Sequence, residues 1–317
     1  MIDRVKTGLG IEVRPDPIKL SQDAWALPMS YAISASTPGP LATAASPITS
    51  SPECFSASPP ASGTELLDIS TTERLRWLVA SLSAPEPPLA SALGERELRS
   101  WQMLLVQLVG TGQRWRPLPE AWALLWQTRA WRQELIQLLD LLAARCERRL
   151  LPLPWALPVP LRVHGRYSRA EIMAAFSVLD ANGAPRNHRE GVLWHEPSQC
   201  DLLFITLNKS EALFSPSTRY RDLALGPSLF HWESQSITTA ASPTGQRYIH
   251  HQARGSRVLL LVREHRKEDG RSGGITEPFR CLGFATYEGH EAERPMAIRW
   301  RLEVPIPAAW LPGCCLA

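Results

Sequence analysis

The chain has 317 residues, 44% of them hydrophobic and 21% charged, with a formal net charge of +3. That is enough for one large or two small globular domains, and it excludes a polybasic wrapper of nucleic acid. No apolar run reaches the roughly 18 residues of a membrane span, no secretory signal opens the chain, and a soluble cytoplasmic protein is expected.

The positive charge is carried almost entirely by arginine, with lysine confined to Lys6, Lys19, Lys209 and Lys267. Arginine is the better fork for phosphates and guanine edges, although a GC-rich coding sequence produces the same bias. The six cysteines include no C-x-x-C pair, which fits a reducing compartment and offers no zinc or redox framework.

Residues 1–68 are read as a disordered or non-native N-terminal segment, because Ser, Ala, Thr and Pro prevail there and large apolar side chains are scarce. Residues 69–150 read as a helical unit. Leu75, Leu78, Val79 and Leu82 share one helical face, Trp101, Leu104, Leu105 and Leu108 another, and a long segment from Pro119 to Leu150 completes the unit. Its tryptophans fit a packed core better than base-stacking platforms.

The run Leu151-Pro152-Leu153-Pro154 ends the helices. Residues 151–317 then read as a strand-rich accessory domain with strands at Asp201–Leu207, Arg257–Arg263, Phe279–Tyr287 and Met296–Val304. Ser168-Arg169-Ala170-Glu171 is a capping box that starts one helix. The fold class is therefore α+β: a helical unit followed by a mixed, strand-rich domain, with a small curved sheet or partial barrel and one capped helix.

Three segments carry candidate chemistry. Arg166 and Arg169 stand at the start of the capped helix, where free N–H groups and positive charge together suit an anion, or else form a solvated strand end. Lys209 precedes a turn, and Arg219 and Arg221 flank Tyr220 at period two. On an extended chain the two arginines share one face and suit a phosphate clamp, unless Arg221 pairs with Asp222 or Glu211. In Phe230–Ser236 a strand places His231, Glu233 and Gln235 opposite Phe230 and Trp232, the lining expected of a pocket. With Arg247 and Tyr248 this polar row suits base readout, with Trp232 or Tyr248 stacking on the base. The alternative is a nuclease or hydrolase using His231, Glu233 and His250. No metal site and no cofactor are expected, since three or four convergent ligands are not evident.

No G-x-x-x-x-G-K-[ST] loop is present, which excludes an ATP-driven motor on this chain, and G-x-S-x-G, H-E-x-x-H and G-x-G-x-x-G are missing as well.

The segments Tyr167–Ile172, Thr206–Glu211, Phe214–Pro216, Tyr220–Asp222, Phe230–Ser236, Thr244–Ile249 and Glu293–Met296 together resemble an uncharacterised bacterial domain family. Its members stand at the C-terminus of superfamily-two DEAD/DEAH-type helicases, often behind a phospholipase-D-like nuclease domain. The resemblance implies an accessory module of a DNA-processing protein, concerned with restriction or phage defence and supplying target recognition or regulation; the base read by the polar row is then expected to include a modified one. DNA is the implied partner, with a superfamily-two helicase or nuclease in cis or in trans and no membrane. The chain is then expected to be a fragment of a longer helicase or to work beside a separate motor. A protein-interaction scaffold for a helicase partner is the third reading.

Overall fold

In the computed structural model, residues 72–111, 115–146, 150–208, 222–266 and 276–314 are described. The chain divides into two compact units. One comprises residues up to Glu147 together with Asp180–Ala184, and the other Arg148–Leu179 with Pro185 onward.

The first unit is helical: α1 Thr72–Ser83, α2 Glu95–Val109, α3 Leu118–Gln127 and α4 Arg129–Arg145. Leu75, Leu78 and Leu82 are fully buried along α1, as their spacing dictates. The segment expected as one long helix from Pro119 is two, because Thr128 leaves helical geometry at φ −99°, ψ 72°. Trp101 is the hub of the core, with Trp122 edge-on at 5.7 Å and Trp77 at 6.2 Å. At 0% exposure Trp101 has no ring face left for a base.

The second unit is built on an open eight-stranded sheet rather than a partial barrel. Its strands are β3 Arg166–Tyr167, β4 Val192–His195, β5 Cys200–Asn208, β6 Leu223–Gly226, β7 Leu229–Glu233, β8 Arg257–His265, β9 Phe279–Glu291 and β10 Ala297–Leu302. They run in the order β4-β5-β8-β9-β10-β7-β6, with β3 added to β9. A separate pair, β1 Leu151–Pro152 and β2 Arg162–Val163, lies outside the sheet. All neighbours in the sheet are antiparallel except β5 and β8, which are parallel in register from Cys200↔Arg257 to Asn208↔His265. The apolar runs Leu202–Ile205 and Val258–Val262 are buried on both faces, as a central parallel pair requires.

Three short helices complete this unit: α5 Arg169–Ala175, α6 Pro243–Ile249 and α7 Leu311–Cys314. The capping box at α5 is formed. Ser168 Oγ accepts from Glu171 N at 3.2 Å, and Ser168 N donates to Glu171 Oε2 at 3.0 Å. One face of the sheet packs Phe230, Trp232, Leu260, Val262, Ile298 and Trp300 with Tyr248 of α6. On the other, Phe284 meets Trp155 at 5.1 Å, and Trp155 meets Phe176 at 6.0 Å. Gly283 sits at φ 90° where the β8–β9 register shifts, and a Cβ there would come within 3.3 Å of Val163. A side chain at that position would be strained twice over.

Candidate functional site

Strand β7 alternates as its sequence suggests, with Phe230 and Trp232 buried and His231 and Glu233 half-buried on the other side. Gln235 follows just beyond the strand and is also half-buried. The aromatic side of the strand is the core, however. Trp232 is 5% exposed and Tyr248 1%, and their rings meet edge-on at 5.5 Å. Stacking a base on either needs an open ring face, and packing has consumed it. Burial, together with the charge of Asp201, pushes the Tyr248 phenol far above its ordinary range.

The stretch around Arg247 is helical rather than extended. Ser242 caps α6 by accepting from Gly245 N, and Pro243 occupies the first turn, where its missing donor costs nothing. The helix aims Arg247 at the start of β5. Arg247 Nε donates to Asp201 Oδ2 at 2.7 Å and Nη2 to Oδ1 at 2.8 Å, while the guanidinium lies 4.3 Å from the centre of Trp194. Burial lifts the Asp201 carboxyl above its usual range, and the two bonds from Arg247 pull it only part of the way back. For Arg247, burial alone would lower the guanidinium, and the bonds and charge of Asp201 turn the shift upward. Both forks of this arginine are committed to one carboxylate, so its place in base readout is taken by a structural pair.

His250 is exposed at the end of α6, and no hydrogen bond joins it to His231 or Glu233. Among the described residues no group of three His, Cys, Asp or Glu side chains is arranged to hold a metal ion. His251, next in sequence, is 3% exposed; its Nε2 accepts from Tyr287 N at 3.1 Å and its Nδ1 lies 3.3 Å from Ser256 O. That pattern fixes the neutral ring with the proton on Nδ1, and burial lowers its pKa accordingly.

The arginines of the first segment stand at one end of the sheet. Arg166 lies opposite Arg280 in the β3–β9 pair, and Arg280 lies opposite Val262 in the next, so both arginines share the face that carries Val262. A small cleft opens there, lined by Arg166, Arg263, Glu264, Glu277, Arg280 and Trp310 among others. The Arg280 guanidinium lies 3.6 Å over the Trp310 ring, and the His164 ring meets Trp310 edge-on at 5.1 Å. Burial and then the Arg280 charge lower the His164 pKa.

Arg169 turns to the opposite face. Its guanidinium lies 4.1 Å from the centre of Phe204 and 5.1 Å from that of Phe279, and Nη1 donates to Glu190 O at 2.7 Å. Arg263 reaches Phe279 at 4.4 Å, with Nε donating to Thr206 Oγ1 at 3.0 Å and Nη1 to Glu277 O at 3.3 Å. Burial lowers both guanidinium groups to about 10, and the charge of Arg263 adds to the effect on Arg169. The anion site expected from the backbone N–H groups of the capped helix does not arise in that form. Helix α5 has only seven residues, and the Glu171 and Ile172 amides are already bonded to Ser168.

Residues 161–311 match the family model DUF3427, a domain of unknown function. The matched stretch spans β2 through the first residue of α7 and so contains both arginine groups, Arg247 and the β7 row. A comparison with curated proteins finds no match to the chain. Among the described residues no helix is long and apolar enough to cross a membrane.

Lys209, Arg219, Tyr220 and Arg221 lie outside the described residues, as does the segment 1–68. Sequence reasoning missed Arg263 and Arg280. The available signal was an arginine directly after the apolar run Val258–Val262, and another directly after the aromatic that opens β9.

Proposed function

We propose that this chain is a DNA-binding accessory module, working beside a superfamily-two helicase or nuclease in restriction or phage defence. The observation that carries the reading is the cleft at the sheet end, where Arg166 and Arg280 stand on one face beside Glu264 and Glu277. One of these, Glu277, is occupied by the His265 amide at 2.6 Å. Half-exposed guanidinium groups set side by side on a sheet suit contact with phosphates. The segment bearing Lys209, Arg219 and Arg221 continues the chain from the end of β5, whose last residue Asn208 pairs with His265. Base readout, including that of a modified base, falls to His231, Glu233 and Gln235, the polar row of β7 that packing leaves on the solvent side.

Fluorescence anisotropy with modified and unmodified duplexes at two salt concentrations tests both parts. The expected result is binding that weakens steeply with salt. R166Q/R280Q should weaken all duplexes alike and reduce the salt slope by about two. H231A/Q235A should change the ratio between modified and unmodified duplexes instead. An absence of binding at about 50 mM salt removes the reading.

A further inference from the structure

Two cationic side chains share the ring of Phe279. Arg169 and Arg263 lie 5.1 Å and 4.4 Å from its centre, so their charged heads are no more than about 9.5 Å apart. Neither forms an ion pair with a carboxylate among the described residues. Every hydrogen-bond acceptor they use is neutral: the Glu190 carbonyl for Arg169, and the Thr206 hydroxyl and Glu277 carbonyl for Arg263. The Glu277 carboxylate accepts from the His265 amide and acts on Arg263 through its charge, without forming an ion pair with it.

Two half-buried guanidinium groups gathered on one ring are costly, because each loses hydration and gains only neutral hydrogen-bond acceptors in return. Burial is the main cause of their depressed pKa values; the Arg263 charge adds to it at Arg169, whereas at Arg263 the Glu277 charge offsets part of it. The same fold provides the contrast: where Arg247 is half-buried, Asp201 is placed against it. The aromatic rings help hold the heads in position but carry no net charge. Donors remain on both forks, since Arg169 uses only Nη1 and Arg263 only Nε and Nη1.

We infer that Arg169 and Arg263 bind a phosphate group between them, on the face of the sheet opposite the Arg166–Arg280 cleft. A tetrahedral oxyanion offers oxygens to two forks at once, which a planar carboxylate does less well. The group is supplied by a nucleic-acid backbone or by a phosphorylated small molecule. The inference stands apart from the DNA-binding reading, because a free phosphate monoester would satisfy it.

Thermal unfolding of the full chain in sodium phosphate, against sodium chloride of equal ionic strength, is the first test. A saturable rise in Tm in phosphate alone is expected. Arg263→Gln and Arg169→Gln should each weaken phosphate at least tenfold, while Arg254→Gln at an exposed position leaves it unchanged. Equal behaviour in phosphate and chloride overturns the inference. So does an undiminished phosphate effect in whichever of the two glutamine variants folds.

The second arm compares a nucleoside monophosphate with a short oligonucleotide carrying or lacking a terminal phosphate, each in competition with inorganic phosphate. Competition by both oligonucleotides identifies a backbone phosphate as the occupant. Competition only by the monophosphate and the phosphorylated oligonucleotide identifies a monoester. Phosphate binding with no effect of any oligonucleotide supports the site and counts against DNA as its source.

Discussion

Arg247 and Arg169 are the same residue in similar settings, half-buried and laid on aromatic rings about 4 Å away. They differ in what faces them. Arg247 meets a fully buried carboxylate with both forks, and Arg169 meets one backbone carbonyl and a second arginine. A closed ion pair is a structural element whose removal harms the fold. An arginine pair without its anion is an incomplete structure whose completion comes from outside.

The largest expected effect lies on the closed side. Arg247→Ala leaves the Asp201 carboxyl, at 0% exposure, without its partner, and should cost about 3–5 kcal/mol in urea unfolding. A cost below about 1 kcal/mol would erase the distinction.

Next comes pH. Burial lowers the pKa values of His164, His188 and His251 in the folded protein, so below about pH 6.5 the unfolded chain takes up protons that the native chain refuses. Stability should be full above that pH and fall as pH drops from about 7 to about 5, by up to about 1.4 kcal/mol per pH unit for each histidine. After burial, the charge of Arg169 is the next cause of the His188 shift. R169Q should therefore flatten the decline, measured as urea midpoints at pH 7.5 and 5.5.

A smaller loss, about 1 kcal/mol, is expected for Ser168→Ala, which removes the cap of the helix that begins with Arg169. The smallest effect belongs to the open side. R263Q in chloride should shift stability by less than about 1 kcal/mol, because the lost ring contact is offset by relief of desolvation and repulsion. A loss as large as that of R247A would mean that Arg263 is as structural as Arg247.

Features set by neighbours in sequence were legible, and features set by register were not. The capping box at Ser168 and Glu171 spans four residues and was readable from its letters. The alternation of β7 was also readable, but alternation does not say which side faces the core. Trp232 and Tyr248 are core because α6 lays Tyr248 against Trp232 of β7 and Trp300 of β10, a tertiary fact. Helix α6 escaped notice because seven residues give little periodicity, although Ser242-Pro243 was a start signal. The meeting of Arg169, Arg263 and Phe279 depends on three elements being set side by side, which no spacing in a single chain reveals. Thr128 shows the limit of pattern in the other direction, since apolar periodicity continues across a break in the backbone.

The parallel pairing of β5 with β8 also governs how the protein is made. Thr206 and Arg263 are neighbours in the sheet but 57 residues apart in the chain, with β6, β7 and α6 between them. During synthesis β5 can pair with β4 at once, yet its other edge has no partner until β8 has been translated. Through that interval an apolar strand stands with one edge open, the condition that favours wrong pairing and engages chaperones. The distant pairing should make closure of the sheet centre the slow step of folding.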